Sequence, residues 1–396
     1  MNPPLILDLS HTSHTRARTG VQRVARALAA ELGDQCAPVC FDPYQGLWRP
    51  LEDWEKENLE SADPARGRGS HWPLGARIRG SLRKGRNDSP LLTLPERHGS
   101  GPEGVLIPEI FSAEVGKALP FLFAATQGPR VALFHDAVAL QYPEFTPRST
   151  VARFPGYLRE LLQFDGVAAV SETSRDALLD YWRWLGVART PAVVAVTLGI
   201  EEPTAERSRA DAAGSPIVLC VSSIEGRKNH AALLDACEQL WASGSTFQLR
   251  LVGIVNRETG ASALERIERL RVAGRPLRYE GPMKDGALEV AYAECSFTVY
   301  PSLAEGFGLP VVESLSRGKP CLCRMTGATG EAGRAGGCAG IGSGSPSEIA
   351  SAMAALLGSP AELARLQREA LGRRFKTWPE YASELLGWMQ GLPRHL

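Results

Sequence analysis

Short apolar runs alternate with longer amphipathic stretches along most of this chain. Leu5 to Leu9 is the first such run and predicts a strand, and Gly20 to Leu32 has the spacing of an amphipathic helix that ends at Gly33. In the second half, Pro216 to Val221 is an uninterrupted apolar run, which is typical of a parallel strand covered on both faces. Because the unit of strand and helix recurs in both halves, the pattern predicts an α/β protein with two Rossmann-like domains.

Other segments repeat this pattern and set the predicted domain limits. Further strands are predicted at 104–108, 130–134, 167–170, 193–196, 247–252, 297–300 and 320–323, and the segment 277–283 is predicted to be a short strand that closes at a Gly-Pro turn. Two Ser-Pro-x-Glu capping boxes begin helices that are expected to run to about 357 and about 375, and a last helix starts at Trp378. We therefore predict an N-terminal domain at 1–203, a C-terminal domain at 204–375 and a terminal helix at 376–396, with a polar linker from Glu201 to Gly214.

Length and composition are typical of a soluble globular protein. The 396 residues suffice for two domains, and 44% are hydrophobic while 22% are charged. The formal net charge of zero gives no electrostatic support to a nucleic-acid partner. No run of about 18 apolar residues is present, and the first residues lack the basic start and apolar core of a signal peptide. The eight cysteines are expected to be reduced thiols without zinc, so we predict a cytoplasmic location and leave contact with the inner face of the cell membrane open.

Residues 60–103 interrupt the pattern with cations among Gly, Ser and Pro. Trp72, Leu74, Ile78 and Leu82 are interleaved with these cations, which are Arg66, Arg68, Arg77, Arg79, Arg83, Lys84 and Arg86. One interpretation is a mobile insertion loop with solvated charge. The other is a basic, partly apolar surface at residues 64–86 that contacts anionic lipid or a lipid-diphosphate acceptor. The sequence alone leaves both open.

Two carboxylates separated by seven residues, Glu305 and Glu313, enclose the sequence Gly306-Phe307-Gly308-Leu309. A predicted strand precedes them, and a stretch with helical spacing from Val311 to Arg317 follows. Glycine lacks the Cβ that would block close approach, so the N–H groups of such a loop and the positive end of the helix can face an anion. The alternative is a glycine-rich turn with two solvated acids.

A second candidate site follows the strand at 216–221, where Arg227 and Lys228 precede a helix rich in Ala and Leu. Two cations on the N-terminal side of a helix oppose the helix dipole, and a bound anion would relieve that conflict. An exposed Arg-Lys pair without a ligand is the alternative.

Histidines follow two predicted strands of the first half. His135 and Asp136 come directly after the strand at 130–134, at the edge where open α/β sheets bind ligands. A histidine there is either structural or catalytic, and Asp136 could orient its imidazole. His11 and His14 lie in the polar loop after the first strand, and we interpret them as solvated residues rather than ligands.

Together these motifs resemble the retaining glycosyltransferases of family 4, which are glycogen-synthase-like and mannosyltransferase-like group 1 transferases with the GT-B fold. That family has Pro-Ser before its pair of glutamates and Gly-x-Pro after it, which Pro301-Ser302 and Gly318-Lys319-Pro320 match. Thr19 to Val24 is similar to a Thr-Gly-Ile-Gln-Arg-Val sequence of one subgroup, whereas the family's Pro-Glu loop has Gly330 in place of its proline. The resemblance covers nearly the whole chain except the basic insertion. It implies two Rossmann-like domains facing a central cleft, with the C-terminal helix crossing back to the first domain.

The resemblance also implies roles for individual residues. Arg227, Lys228 and the amides of 306–309 would hold the donor diphosphate, and Glu313 would accept hydrogen bonds from the ribose hydroxyls. Glu305 would hold hydroxyls of the transferred sugar, which His135 would reach from the opposite wall of the cleft. The nucleobase loop at Gly281 uses main-chain contacts in the family, so the sequence does not select the base. The implied catalytic residues are Glu305, His135, Arg227 and Lys228, and the implied donor-binding residues are Gly20, Arg227, Lys228, Gly281, Glu305, Gly306, Phe307, Gly308, Leu309 and Glu313.

The implied activity is transfer of a hexose, with retention of configuration, from a nucleotide-diphosphate sugar to a glycan or lipid-linked glycan in surface polysaccharide or lipopolysaccharide synthesis. No Asp-x-Asp sequence is present, so a metal-clamped diphosphate is not supported and no cofactor is expected. GDP-mannose is the leading donor, because members of the subgroup look like mannosyl- or related hexosyltransferases. Two alternatives stay open, namely a catalytically silent nucleotide-sugar-binding or scaffold subunit and a GT-B nucleotide-sugar epimerase.

Overall fold

A computed structural model of the chain describes residues 5–61, 69–83, 104–202 and 214–393, in two compact units. The first unit comprises Met1–Ala137, Ala152–Gly199 and Trp378–Leu396, and the second comprises Val138–Val151 and Ile200–Thr377. The segment Val138–Val151, which the sequence prediction assigned to the N-terminal domain, thus belongs to the second unit. It does so because its side chains and backbone contact that unit: the Phe145 ring lies against Gly226, and the Arg148 N–H donates to Glu258 at 2.9 Å. Most of the predicted linker lies outside the described residues.

Seven strands form the sheet of the first unit. They are β1 (Leu5–Asp8), β2 (Cys36–Asp42), β3 (Leu47–Pro50), β4 (Val105–Ile107), β5 (Arg130–Phe134), β6 (Gly166–Ala169) and β7 (Ala192–Ala195). Their order is β3-β2-β1-β4-β5-β6-β7, and only the β2–β3 pair is antiparallel among the described residues. The sheet reverses its order between β1 and β4, which is the arrangement of a Rossmann-like unit.

Six strands form the sheet of the second unit. They are β8 (Ile217–Val221), β9 (Gln248–Val252), β10 (Leu277–Tyr279), β11 (Phe297–Tyr300), β12 (Cys321–Arg324) and β13 (Cys338–Ile341). All the pairs are parallel, and the order β10-β9-β8-β11-β12-β13 reverses between β8 and β11. Buried side chains such as Leu233, Phe247 and Phe297 fill the core between this sheet and its helices.

Helices cover both sheets, as parallel strands require. They are α1 (Gly20–Leu32), α2 (Asp53–Glu60), α3 (Leu74–Arg83), α4 (Ala113–Ala124), α5 (Val138–Gln141), α6 (Arg148–Glu160), α7 (Glu172–Trp184), α8 (His230–Ala242), α9 (Ala261–Val272), α10 (Asp285–Glu294), α11 (Leu309–Ser316), α12 (Gly327–Gly333), α13 (Pro346–Leu357), α14 (Pro360–Leu371) and α15 (Trp378–Gln390). Within the described part of the chain, none of them is both long and apolar enough to cross a membrane.

The C-terminal helix α15 packs on the first unit. Trp388 and Met389 lie so close to Gly166 and Gly104, respectively, that a Cβ on either glycine would come within 2.7 Å of them. The expected architecture, with two Rossmann-like units and a C-terminal helix that returns to the first, is confirmed.

Most predicted elements are present within two residues of their expected limits, but three strands were missed. Strands β2 and β3 contain Pro38 and Pro50, and proline argues against a strand when only the sequence is considered. Strand β13 is short and contains Gly340. In addition, α14 ends at Leu371 rather than near 375, because Gly372 follows it.

Candidate active site

The chain after β8 and the chain after β11 lie side by side at the point where the order of the second sheet reverses. A 3-10 turn, Gly226–Lys228, follows β8, and the loop containing Glu305 follows β11. Open α/β sheets bind their ligands at the carboxyl ends of the strands at such a switch point. The strand order alone therefore brings the two motifs singled out in the sequence to one place.

Glu305 joins the two loops through ion pairs with both cations. Arg227 Nη1 lies 2.8 Å from Glu305 Oε2, and Lys228 Nζ lies 2.5 Å from Glu305 Oε1. Arg227 Nε also lies 3.0 Å from Glu225 Oε1, and Arg227 Nη1 donates to the Ala304 carbonyl at 3.0 Å. Two carboxylates thus balance two cations in a largely buried cluster.

The cluster determines the charge state of Glu305. Burial opposes the negative charge, but attraction by Arg227 and Lys228, together with hydrogen bonds from Lys228 and Ser302, lowers the pKa of Glu305 from 4.5 to about 2. Burial and the neighbouring Arg227 lower the pKa of Lys228, whereas Glu305 raises it. Glu305 is therefore an anion at neutral pH.

Two polar side chains that the sequence analysis did not single out complete the cluster. The Tyr300 hydroxyl accepts from Lys228 Nζ at 2.5 Å and donates to Glu305 Oε1 at 2.7 Å, and the Ser302 hydroxyl also donates to Oε1. Tyr300 is the last residue of the fully buried strand β11, so the sequence pattern alone gave no signal that separates it from a core residue. Oε1 thus accepts from three groups, whereas Arg227 is the partner of Oε2 among the described contacts.

Helix α11 begins at the glycine-rich loop. Gly308 caps it with φ 91°, a left-handed conformation that L side chains rarely adopt, and Pro310 lies in its first turn. Pro310 has no N–H, and the Val311 and Val312 N–H groups donate to the Gly308 carbonyl at 2.9 and 3.3 Å, so this helix end offers an anion the Leu309 N–H and the positive end of the helix dipole. Glu313 lies one turn into α11 and is buried, while Phe307 is half-buried.

Gly281 lies just beyond β10, the edge strand of the same sheet. Its φ of 67° is also left-handed, and its carbonyl accepts from the Gly253 N–H, just after β9, at 2.9 Å. The loop is therefore at the carboxyl edge of the sheet, and it is the loop to which the resemblance assigns the nucleobase contacts.

The other two candidate residues, Gly20 and His135, belong to the first unit. Gly20 is the first residue of α1, with Thr19 at the N-cap. His135 is buried at the end of β5, and its Nε2 donates to the Pro108 carbonyl at 2.7 Å, so this carbonyl orients the ring. Burial lowers the pKa of His135 although Asp136 raises it, which keeps the imidazole neutral at neutral pH.

Comparisons with known proteins agree with this fold. Residues 202–373 match the family model for glycosyl transferases group 1. The serotype-specific mannosyltransferase WbdA of Escherichia coli is 25% identical over 343 residues, which cover 81% of this chain and 38% of WbdA. O-antigen chain mannosyltransferase B of Escherichia coli is 30% identical over 206 residues, which cover 49% of this chain and 52% of that protein.

Solved structures extend the similarity to nearly the whole chain. Sucrose-phosphate synthase from Thermosynechococcus elongatus superposes with a TM-score of 0.68 at 18% identity, covering 98% of both chains. HepE from Anabaena, in complex with UDP and glucose, superposes with a TM-score of 0.67 at 16% identity, covering 99% of this chain and all of HepE. Residues 202–373 are therefore similar to the group 1 glycosyltransferase domain, and the chain as a whole has the GT-B fold of two Rossmann-like units. It spans about two fifths of the length of the WbdA proteins that it matches.

Two buried carboxylates that the sequence analysis had not named lie at strand ends of the first unit. Asp8 ends β1, and Glu109 follows β4 and accepts from the His11 and Thr12 N–H groups at 2.9 and 3.2 Å. Burial raises the pKa of Asp8 from 3.8 to about 7, with Ser10 opposing and Glu109 adding to the shift. An acid directly after an apolar run was the sequence signal for both.

His14 was wrongly interpreted as a solvated loop residue. It is buried, its Nε2 lies 2.7 Å from Glu55 Oε1, and its ring stacks on Trp72 at 4.0 Å between centroids. The side chain of His11, by contrast, is 42% exposed. A buried acid requires a cationic partner, which Glu55 finds in Arg49, and the His14 ring is held against the same carboxylate by its Nε2 contact.

Two groups of side chains in the described residues have metal-ligand character, and each has its potential ligand atoms within 4.8 Å of one another. One is His14, Cys40 and Glu55, but both oxygens of Glu55 already accept from Arg49 at 2.7 and 2.8 Å. The other is Cys321, Cys323 and Cys338 on the paired strands β12 and β13, which offers three of the four ligands of a structural zinc ion. Metal-independence of the donor site stays a prediction.

Proposed function

We propose that this protein is a retaining, metal-independent hexosyltransferase that uses a nucleotide-diphosphate sugar, with GDP-mannose as the favoured donor. Its acceptor is a glycan or a lipid-linked glycan in surface polysaccharide synthesis of the lipopolysaccharide type. The observation that carries the proposal is the cluster of Arg227, Lys228 and Glu305 beside the N-terminus of α11.

The cluster supports binding of a diphosphate. Two cations and the positive end of α11 provide positive charge at the strand edge where α/β sheets bind ligands. Glu305 preorganises both cations, so they need no large rearrangement when the diphosphate binds. Glu305 Oε2 retains capacity for a sugar hydroxyl, and Glu313 in α11 is proposed to accept the ribose hydroxyls.

The transfer step breaks the bond between the anomeric carbon and the β-phosphate oxygen and forms a bond from the same face to an acceptor oxygen. The electron pair of the broken bond stays on the leaving diphosphate, and the acceptor hydroxyl passes its proton to that diphosphate. Arg227, Lys228 and the positive end of α11 stabilise the negative charge that develops on the leaving group. His135, neutral at physiological pH, is proposed to contact the transferred sugar, with Gly20 beside the diphosphate.

The choice of mannose rests on relatives. WbdA and O-antigen chain mannosyltransferase B are mannosyltransferases by name, and both are related to this chain. The proposed base, guanine, would be read by the main chain of the loop at Gly281. Contact with an anionic membrane through residues 64–86 belongs to the same proposal, because a lipid-linked acceptor would be presented there.

Incubation with GDP-mannose and a mannose-terminated lipid-linked acceptor, in the presence of EDTA, tests the proposal. We expect GDP release and an α-linked product by NMR, and both should be lost in Glu305→Gln. A β-linked product would contradict retention, and a requirement for added metal would contradict the metal-free site. Conversion of the donor to an epimer without acceptor would identify an epimerase, and donor binding without turnover would indicate a silent subunit.

A further inference from the structure

Helix α3 (Leu74–Arg83) presents two opposite faces of different character. Leu74, Ile78 and Leu82 recur every four residues on one face, and their exposed fractions are 68%, 52% and 66%. Ala76 and Gly80 lie on the opposite face and are buried. Three large apolar side chains in register form a patch, unlike apolar residues scattered singly over a surface.

The buried face fixes the helix to the first unit. A Cβ on Gly80 would lie 2.8 Å from Tyr44 Cβ, so only glycine permits this approach. Arg79 Nη2 lies 2.9 Å from Glu52 Oε2, and the Arg77 guanidinium lies over the Tyr44 ring at 5.6 Å. Just before the helix, the His71 N–H donates to the His14 carbonyl at 2.7 Å. These contacts hold α3 with its Gly80 face against the first unit, so the face of Leu74, Ile78 and Leu82 remains exposed to solvent.

The positive charge of α3 indicates which kind of surface its apolar face can bind. The sequence of α3 contains three arginines and no acid. On a helical projection of about 100° per residue, Arg77 and Arg79 lie on the two sides of the stripe formed by Leu74, Ile78 and Leu82. Arginines beside an apolar stripe can place their stems along the acyl boundary and their guanidinium groups at anionic headgroups.

We propose that the face of Leu74, Ile78 and Leu82 inserts into the interfacial region of an anionic lipid bilayer, with Arg77 and Arg79 at the headgroups. Each buried apolar side chain adds to the affinity, and the cations add an attraction that falls with salt. This surface extends the proposed function, since it would hold the enzyme where a lipid-linked acceptor is found. Its test requires neither donor nor acceptor.

Vesicle co-sedimentation of the full chain tests the proposal, with phosphatidylcholine vesicles that do or do not contain phosphatidylglycerol. We expect binding to the anionic vesicles that weakens as salt is raised. Binding should fall at least about tenfold in the double variant Ile78→Ser with Leu82→Ser, the equivalent of about 1.4 kcal/mol. The matched control is Val272→Ser with Val290→Ser, which removes two exposed apolar side chains of the second unit, 89% and 52% exposed, and should bind as wild type does.

Three results would overturn the proposal: no binding by the wild type, equal binding to neutral vesicles, or undiminished binding by the α3 double variant. Because the substituted side chains are exposed, the variant should melt as the wild type does, which circular dichroism checks. Loss of vesicle binding with donor binding intact would separate this surface from the donor site. Intact vesicle binding in a chain that binds no nucleotide-sugar would support the α3 surface and contradict the proposed function.

Discussion

Lys228 and Glu305 are 77 residues apart in the chain, yet Lys228 Nζ lies 2.5 Å from Glu305 Oε1. The pairing of β8 with β11 makes this possible, because the loops after neighbouring parallel strands emerge at the same edge. The carboxylate therefore positions the cations that we propose to bind the donor diphosphate. The site is charge-balanced before a ligand arrives, which lets two cations remain in a mostly buried position.

Replacement of Glu305 by glutamine should destabilise the second unit. The change keeps the shape but leaves Arg227 and Lys228 without their shared anion, and we expect a loss of about 3 kcal/mol in the free energy of unfolding at neutral pH. Denaturant titration monitored by circular dichroism measures this loss. Glu268→Gln, which breaks an exposed pair with Arg271 on α9, is the control and should have no measurable effect.

The same variant predicts a pH dependence with a definite sign. The pKa of Glu305 is about 2 in the folded state and 4.5 as its ordinary value, so its contribution to stability is present above 4.5 and is lost as the pH falls towards 2. The difference in stability between wild type and Glu305→Gln should shrink across that window. If the difference in unfolding free energy between the two proteins stays constant from pH 4.5 down to about pH 2, the ion-pair cluster is contradicted.

The contribution of Asp8 to stability should depend on pH with the opposite sign to that of Glu305. Its folded pKa of about 7 lies above its ordinary 3.8, so the protonated side chain stabilises the fold, and that stability is lost as the pH rises from 3.8 through 7. Asp8→Asn should therefore gain stability relative to wild type over this range, by an amount on the order of 4 kcal/mol. Melting temperatures at several pH values measure the gain. Asp34→Asn, at an exposed site, is the control, and an equal pH profile for wild type and Asp8→Asn would refute the prediction.

Gly226 should be necessary for the geometry of the cation loop. An alanine Cβ there would lie 2.9 Å from Phe145 Cδ1, so the turn that carries Arg227 has to shift. We expect Gly226→Ala to weaken nucleotide-sugar binding at least about tenfold, a loss of about 1.4 kcal/mol. The added change Phe145→Ala should restore part of it, because it removes the obstructing ring. Calorimetric titration of both variants measures their affinity for the nucleotide-sugar. If the double variant binds no more tightly than Gly226→Ala alone, the steric explanation is disproved.

The clustering of Arg227, Lys228 and Glu305 was easier to predict from the sequence than several features of the first unit. Glycines and acids after apolar runs mark strand ends, and parallel strands bring those ends together, so Arg227, Lys228 and Glu305 could be placed in one site from pattern and resemblance. Tyr300 could not, because an aromatic residue at the end of a strand is indistinguishable from a core residue until its hydroxyl is seen between Lys228 and Glu305.

The missed features share a physical cause, which is that long-range contacts override local pattern. His14 reads as a polar loop residue but is buried because Glu55, 41 residues further on, needs a partner. Helix α3 lies in a stretch rich in glycine and arginine, and its contacts with Tyr44 and Glu52 hold it in place. Strand β2 forms despite Pro38, because it pairs with β1 and β3.

Binding of a nucleotide-sugar to the cation cluster is the central claim, and a thermal-shift panel of UDP-, GDP-, ADP- and dTDP-sugars tests it most directly. At about 100-fold excess over its dissociation constant, a ligand adds about 2.7 kcal/mol to the free energy of unfolding, which gives a measurable shift. We predict a shift with GDP-mannose that EDTA leaves unchanged, that Arg227→Ala abolishes, and that the exposed control Arg269→Ala retains. No shift with any nucleotide-sugar, or a full shift in Arg227→Ala, would contradict the account.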